Sequence, residues 1–150
     1  MDAREGIERL LMAYCWGIDT GDFESTAALF GDDGQYGLVG AGAARGAAQV
    51  LGMFQASVRT YDGVPRTRHV ITNIVIDVDD ADADGVATTG SSRCYVQVMH
   101  QPPGEEIRPI VVGTYLDRVH VIGDAWQFAE RRMHLELVGD LSTHLQPGFL

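Results

Sequence analysis

The sequence predicts an α+β fold, in which three helices come first and a meander of long antiparallel strands follows. In the first 60 residues, apolar side chains recur every three or four positions, which is the spacing of helices that bury one face. From residue 67 onward the period changes to two, β-branched residues are frequent, and turn residues separate the runs. Predicted strands of 12 or more residues suggest a strongly curved sheet, because ordinary strands are shorter. The helices would close its concave side into a cone that contains a pocket.

The helices are bounded by recognisable capping and breaking residues. Asp2, with Glu5 three residues later, resembles a capping box, and Asp22 is placed to cap a short second helix. Gly21 breaks the first helix before that cap. The predicted helices cover residues 3–18, 23–30 and 45–59.

The strands follow from alternating apolar and polar residues and from the turns between them. A single domain is expected over residues 1–138, because 150 residues suit one hydrophobic core. Residues 139–150 are expected to form a C-terminal tail that closes the pocket, packs on a neighbouring subunit or stays loosely ordered. The predicted strands cover residues 35–39, 67–79, 86–100, 107–122 and 126–138.

Composition excludes several classes of function. The net charge of -10 argues against nucleic-acid binding, because phosphates are neutralised by basic groups. No apolar run approaches the roughly 20 residues of a membrane helix, and the charged N-terminus does not resemble a secretion signal. Cys15 and Cys94 lie far apart inside predicted elements, where buried thiols are expected rather than a disulfide. We therefore expect a cytoplasmic protein without nucleic-acid or membrane partners.

Metal and cofactor motifs are incomplete. Asp80, Asp82, Asp84 and Gly85 match the first half of a calcium loop, but Ser91 stands where a bidentate Glu is required. The histidines show no metal-ligand spacing, and no Gly-rich phosphate loop is found. We expect an acidic hairpin turn at this segment, no metal ion and no cofactor.

Asp19 is the least expected residue of the first helix. It follows Cys15 by four positions and Leu11 by eight, so it continues the inward-facing stripe of that helix. A buried carboxylate needs a partner, and we expect this partner to be His69 on the first long strand. A carboxylate that holds one ring nitrogen fixes the imidazole tautomer and stabilises its protonated form, which suits a general base. The alternative is that His69 is an ordinary strand histidine and that Asp19 caps the next helix.

Five short motifs, taken in order, resemble the SnoaL-like branch of the NTF2-like superfamily over about residues 5–138. That resemblance implies a cone-shaped, cystatin-like fold in which three N-terminal helices pack on a strongly curved, mostly antiparallel sheet. The motifs are Tyr14-x4-Asp19-x-Gly21-Asp22, Leu29-Phe30-x2-Asp33-Gly34, Arg68-His69-x3-Asn73, Gly113-x-Tyr115 and Trp126-x-Phe128-Ala129-x-Arg131.

Within that superfamily the chain is most similar to lyases that use an Asp–His pair. These include scytalone dehydratase, bile-acid dehydratases and hexachlorocyclohexane dehydrochlorinase. In them an Asp at the end of the first helix holds a His on the first long strand, and the matching positions are Asp19 and His69. The bile-acid dehydratases also have a Tyr that matches Tyr14, where the dehydrochlorinase has a Lys. The pocket Arg of the dehydrochlorinase matches Arg131.

Tyr14 and Arg131 complete the predicted catalytic set. Tyr14 is expected to donate its hydroxyl to a substrate oxygen or a leaving group; the alternative is a core tyrosine whose hydroxyl reaches the surface. Arg131 is expected to hold a carboxylate or stabilise an enolate in the pocket. Arg132 points to the other side of an ideal strand, so one of the two arginines would face the pocket. The alternative for both is pairing with acidic residues at the surface or at a subunit interface.

These residues predict a cofactor-independent lyase or isomerase for a small apolar substrate of polyketide, steroid, terpenoid or aromatic type. The elimination would be of the dehydratase or dehalogenase type, with His69 as the base and Asp19 stabilising the imidazolium. Two alternatives stay open: a non-catalytic subunit that binds a small ligand or supports an oxygenase, and a polyketide-type cyclase. A homo-oligomer, trimer or dimer, is expected, because a curved sheet leaves apolar residues on its convex face.

Overall fold

The computed structural model describes residues 1–149 and has the predicted α+β architecture, with three helices and one six-stranded sheet. Its elements are α1 (Ala3–Thr20), α2 (Phe23–Ala28), β1 (Gln35–Leu38), β2 (Ala43–Arg45), α3 (Gly46–Ser57), β3 (Thr67–Val78), β4 (Thr89–His100), β5 (Arg108–Ile122) and β6 (Ala125–Val138). The strand order is β2-β1-β6-β5-β4-β3, and the sheet is antiparallel except where β1 pairs with β6. Within residues 1–149, no helix is long and apolar enough to cross a membrane.

Both predicted N-terminal caps are confirmed. The carboxylates of Asp2 and Asp22 each accept a hydrogen bond from the backbone amide three residues later, at 2.8 and 3.1 Å. α1 ends at Gly21, whose φ of 78° is left-handed and favours glycine. A Cβ at this position would collide with the carbonyl oxygen of Gly63. The cap therefore fixes where α1 ends, and with it the position of Asp19 two residues earlier.

Bulges bend the sheet. The ladders between β3 and β4, between β4 and β5, and between β5 and β6 all contain register shifts, which increase local twist. At the shift in β3, Asn73 has a φ of 53°, a left-handed conformation that Asn tolerates better than most residues. At the shift in β5, a Cβ on Gly113 would collide with the carbonyl oxygen of His134. These positions explain how strands of this length can curve around the helices.

Most element boundaries lie within two residues of the sequence prediction, and two differences are larger. The sequence predicts only a loop after β1, yet Ala43–Arg45 pair with β1 as a short antiparallel strand. Three residues are too few to show alternation, and alanine has a weak preference for strands, so this pairing depends on the neighbouring strand. β4 begins at Thr89 rather than at residue 86, because the carboxylate of Asp82 accepts hydrogen bonds from the amides of Asp84 and Val86 and thereby extends the turn.

The C-terminal segment, residues 139–149, packs along the end of α3. Leu145 forms an isolated antiparallel bridge with Val58. The Gln146 amide donates a hydrogen bond to the Ser57 carbonyl at 2.8 Å. Four side chains of this segment line a cavity described below, so the segment forms part of the cavity wall.

Candidate active site

A largely apolar cavity of about 350 Å³ lies between the helices and one face of the sheet. This volume is near the lower end of the range for small-molecule sites. α1, α3, five strands and the C-terminal segment contribute to its wall. In residues 1–149, no cluster of three or more His, Cys, Asp or Glu side chains could hold a metal ion. The polar side chains of the wall are Tyr14, Tyr36, Ser57, His69, Tyr115 and His144.

Asp19 is buried beside this cavity at the end of α1, where its carboxylate accepts three hydrogen bonds. The Thr67 hydroxyl donates to Oδ1 at 2.8 Å, and the backbone amide of His69 donates to Oδ2 at 2.8 Å. The ring nitrogen Nδ1 of His69 lies 2.6 Å from Oδ1. Hydrogen bonds to a carboxylate favour its charged form. The three donors therefore compensate for the burial of the Asp19 charge.

The His69 ring connects Asp19 to the cavity. Its side chain is only 9% exposed, and the ring lines the cavity wall. An ionised carboxylate can only accept, so the contact with Asp19 requires a proton on Nδ1 and leaves a lone pair on Nε2. Across residues 1–149, Nδ1 is the ring nitrogen that forms a hydrogen bond, and Nε2 on the other edge forms none. Asp19 and His69 are thus in hydrogen-bond contact, and Nε2, on the ring edge away from Asp19, is free in a ring that lines the cavity.

Three phenols, those of Tyr14, Tyr36 and Tyr115, line the cavity together with His69. The Tyr14 ring centroid lies 6.0 Å from that of Tyr36, 5.8 Å from that of Tyr115 and 6.5 Å from that of His69. Burial raises the pKa of Tyr14 well above its ordinary value, and the two neighbouring phenols add to the rise. Burial also raises the pKa of Tyr36 and of Tyr115. All three groups are therefore neutral hydroxyls that can donate a hydrogen bond to a ligand.

Neither arginine in the middle of β6 lines the cavity, although the sequence predicts that one of the two faces it. Arg131 does point inward, but it is fully buried and paired with Asp117 through two hydrogen bonds of 2.8 and 2.9 Å. Its guanidinium carbon lies 4.4 Å from the Tyr14 ring centroid and 3.8 Å from that of Tyr115. Burial opposes its charge, yet the attraction of Asp117 is stronger and raises the pKa of Arg131. The aromatic rings therefore stand between this arginine and a ligand.

Arg132, on the opposite side of the strand, is partly exposed and forms an ion pair with Glu130 at 3.5 Å. It thus matches the alternative of surface pairing with an acidic residue. A partly exposed pair of this kind contributes little to stability.

Several residues of the candidate site were not predicted from the sequence. Thr67 could have been found, because it lies two positions before His69 and so shares its strand face. Tyr115 belongs to one of the family motifs, but the spacing of that motif does not indicate a role for it. Asp117 and His144 carry no local signal, because their partners are distant in the chain.

A family model described as a SnoaL-like domain matches residues 1–132. The chain belongs to the SnoaL-like family. The predicted resemblance is confirmed at that level, and the predicted NTF2-like fold is confirmed with it. No curated protein matches this SnoaL-like chain.

Several solved structures share the fold of this SnoaL-like protein at low sequence identity. An NTF2-like protein with a cystatin-like fold from Novosphingobium aromaticivorans is 22% identical, with a TM-score of 0.73 over 93% of this chain and 85% of its own. A proposed scytalone dehydratase from the same species is 23% identical, with a TM-score of 0.70 over 98% and 93%. A type 2 hexachlorocyclohexane dehydrochlorinase, LinA, is 16% identical, with a TM-score of 0.70 over 99% and 95%. These likenesses establish the fold and leave the chemistry to be argued from the site.

Proposed function

We propose that this protein is a cofactor-independent lyase or isomerase that removes a proton from a carbon atom of a small, largely apolar substrate. The observation that carries the proposal is the 2.6 Å contact between Asp19 and Nδ1 of His69, in a ring that lines the cavity and whose Nε2 forms no hydrogen bond within residues 1–149. A positioned base of this kind contributes about 10²–10⁴ in rate. The substrate is of polyketide, steroid, terpenoid or aromatic type, because the wall of the cavity is mostly apolar.

His69 accepts the substrate proton, and Asp19 stabilises the charge that His69 then carries. The substrate C–H bond breaks, and its proton goes to Nε2 of His69. In an elimination, the electron pair of that bond forms a double bond to the adjacent carbon as the bond from that carbon to the leaving group breaks; a halide departs as the anion, and a hydroxyl departs as water with a proton from the His69 imidazolium, assisted by Tyr14. In an isomerisation of a ketone, the electron pair forms the C=C bond of an enolate while the C=O pair moves to oxygen, and the proton then returns to another carbon. Asp19 stabilises the imidazolium that forms, while Thr67 and the His69 amide hold the carboxylate in place.

The phenols supply hydrogen-bond donors where charge develops on the substrate. Tyr14 is the proposed donor to a substrate oxygen or to a departing group, and Tyr36 and Tyr115 stand beside it. Arg131 is proposed to act through these rings rather than by touching the substrate. Its positive charge opposes the rise that burial causes in the pKa of Tyr14 and Tyr115, so it strengthens both as donors.

A non-catalytic binding subunit of the same fold is the main alternative. An Asp19 carboxylate turned toward solvent would favour that alternative, and a cavity filled by side chains would favour its structural form, a subunit that supports an oxygenase. The buried Asp19 carboxylate and the open volume beside the His69 ring support the enzyme instead. Among residues 1–149, no Asp or Glu side chain lines the cavity, so nothing in its wall favours the polyketide-type cyclase.

Exchange of a substrate proton with solvent tests the proposal without knowledge of the natural substrate. A panel of cyclic ketones and β-hydroxy ketones is incubated with the protein in D₂O, and deuterium at the α-carbon and loss of water are followed by NMR. We expect exchange or elimination that falls by about 10² or more in the His69→Gln variant. The His120→Gln variant, which changes a strand histidine outside the cavity wall, is the matched control.

Two outcomes contradict the proposal. Equal exchange in the native protein and in the His69→Gln variant would show that this histidine is not the base. Saturable binding of ketones without any exchange would identify a binding subunit.

A further inference from the structure

A second histidine, His144, lines the cavity together with His69, and the mechanism proposed above leaves it without a task. It lies in the C-terminal segment, and its backbone is held on both sides. The His144 carbonyl accepts a hydrogen bond from the Arg59 amide at 2.9 Å, and its amide donates one to the Leu141 carbonyl at 3.1 Å. Its ring packs edge-on against His100, with the centroids 5.8 Å apart. Neighbouring groups therefore fix the ring against the cavity.

The two ring nitrogens of His144 have different surroundings. Nδ1 is buried and has no hydrogen-bond partner in the described chain, residues 1–149. Because the ring lines the cavity while Nδ1 is buried, we infer that the Nε2 edge is the one that faces a ligand. A buried N–H without an acceptor is rarer in proteins than an acceptor with an unused lone pair. The proton of the neutral ring therefore belongs on Nε2.

His144 keeps this neutral form at ordinary pH. Burial is the main cause that lowers the pKa of His144 to about 4; repulsion from His69 or His100 adds to the shift when either ring is protonated, and Asp19 opposes it in part. A neutral ring with its proton on Nε2 donates a hydrogen bond and does not compete with His69 for a substrate proton. The cavity thus combines a proton acceptor at His69 with a donor at His144.

We propose that His144 binds an oxygen atom of the substrate through Nε2–H, so that the cavity selects a ketone, or the enolate formed from it, over a hydrocarbon or an organohalide. This inference rests on the proposed function, because it names the substrate class for the same cavity. A carbonyl oxygen held by His144 becomes more negative as His69 removes the neighbouring proton, and the hydrogen bond strengthens at that moment. Halogen bonded to carbon accepts hydrogen bonds only weakly, so a halide gains little from this donor.

The tautomer of His144 is the first test, and it needs no ligand. Long-range ¹⁵N–¹H correlation spectra of the native protein at pH 7 report which ring nitrogen carries the proton. We expect Nε2–H for His144 and Nδ1–H for His69. A proton on Nδ1 of His144, or a charged His144 ring at this pH, overturns the proposal.

Binding of a matched pair of probes is the second test. Indanone and indane have nearly the same shape and differ in one carbonyl oxygen, and their dissociation constants are measured by NMR titration. We expect the native protein to bind indanone about three- to tenfold more tightly, as one neutral hydrogen bond allows. The His144→Phe variant is expected to lose this preference while still binding indane. The His144→Gln variant, whose amide can donate, is expected to keep part of it.

The same titrations separate this inference from the proposed function. The His69→Gln variant is expected to keep the preference for indanone even though it loses proton exchange, because the donor is a different residue. A native protein that binds both probes equally, or that does not bind indanone, overturns the inference. So does a preference that survives in His144→Phe, because the donor would then be one of the cavity phenols.

Discussion

At the scale of single residues, the candidate site depends on the hydrogen bonds that compensate for the burial of the Asp19 carboxylate. Its carboxylate is removed from water, and three protein donors replace the lost hydrogen bonds. Two of these donors belong to His69 and the third to Thr67, so the carboxylate holds the strand and the ring together. Because each oxygen has a defined donor, the orientation of the His69 ring follows from the position of Asp19.

The Asp19→Asn variant is predicted to reverse the tautomer of His69. Its amide oxygen can still accept from the His69 backbone, which leaves the NH₂ group beside the Thr67 hydroxyl and the ring. An NH₂ donor there requires an unprotonated Nδ1, so the proton moves to Nε2 and the cavity loses its base. Long-range ¹⁵N–¹H correlation spectra measure this change directly.

The control for that experiment is Asp22→Asn, which changes the exposed cap of α2. It is expected to leave the His69 tautomer as it is in the native protein. Retention of Nδ1–H in Asp19→Asn would show that the carboxylate does not determine the tautomer.

At the scale of elements, the C-terminal segment forms part of the cavity wall, and its docking is predicted to weaken at low pH. His144 is neutral when the segment is docked, because burial lowers its pKa to about 4. A released segment has an ordinary histidine with a pKa near 6.5. Between these two values only the released form binds a proton, so the free energy of docking falls as pH drops from about 6.5 to about 4. The loss is on the order of 3 kcal/mol when complete.

Hydrogen exchange of the docking amides is predicted to follow this pH dependence. The amides of Arg59 and Gln146 donate across the contact between α3 and the C-terminal segment, to the carbonyls of His144 and Ser57. Their protection factors, corrected for intrinsic exchange, are expected to fall between pH 6.5 and pH 4.5 in the native protein. The His144→Phe variant cannot titrate at this position and is expected to show no such fall. An equal fall in both proteins would assign the effect to another group.

At the scale of the whole molecule, one buried ion pair connects the last two strands to the aromatic cluster. Arg131 and Asp117 are both fully buried, and the guanidinium packs against Tyr14 of α1. Removing one partner leaves a buried charge without compensation, which costs about 3–5 kcal/mol. The pair therefore couples the packing of α1 to the register of β5 and β6.

The Arg131→Met variant is predicted to lower the free energy of unfolding by about 3–5 kcal/mol, as measured by urea denaturation. The double variant Arg131→Met with Asp117→Leu is predicted to recover most of this loss, because neither charge is then buried. Arg132→Met is the matched control and is expected to change stability by less than about 1 kcal/mol, because its pair is partly exposed. Additive losses in the double variant would contradict this account.

Self-association through the outer face of the sheet stays a prediction. Val70, Tyr95 and Leu116 are 44%, 50% and 43% exposed, and each alternates along its strand with residues that face the core or cavity. Sedimentation velocity is expected to show a dimer or trimer of the native protein. The Leu116→Glu variant is expected to weaken this self-association. The Trp16→Gln variant, which changes the exposed face of α1, is expected to leave it unchanged. A native monomer at micromolar concentration would contradict the prediction.

The sequence by itself determined the order of the helices and of the strands other than β2, and the caps at Asp2 and Asp22, because each depends on residues close together in the chain. The pairing of Asp19 with His69 was a candidate because a buried charge needs a partner and because the chain resembles the Asp–His lyases. Only the tertiary structure decided that Arg131 is enclosed by Asp117 and two tyrosine rings, and that His144 reaches the cavity. Bulges and contacts between distant residues determine which side of the sheet these side chains occupy, because a single register shift moves a residue to the other face.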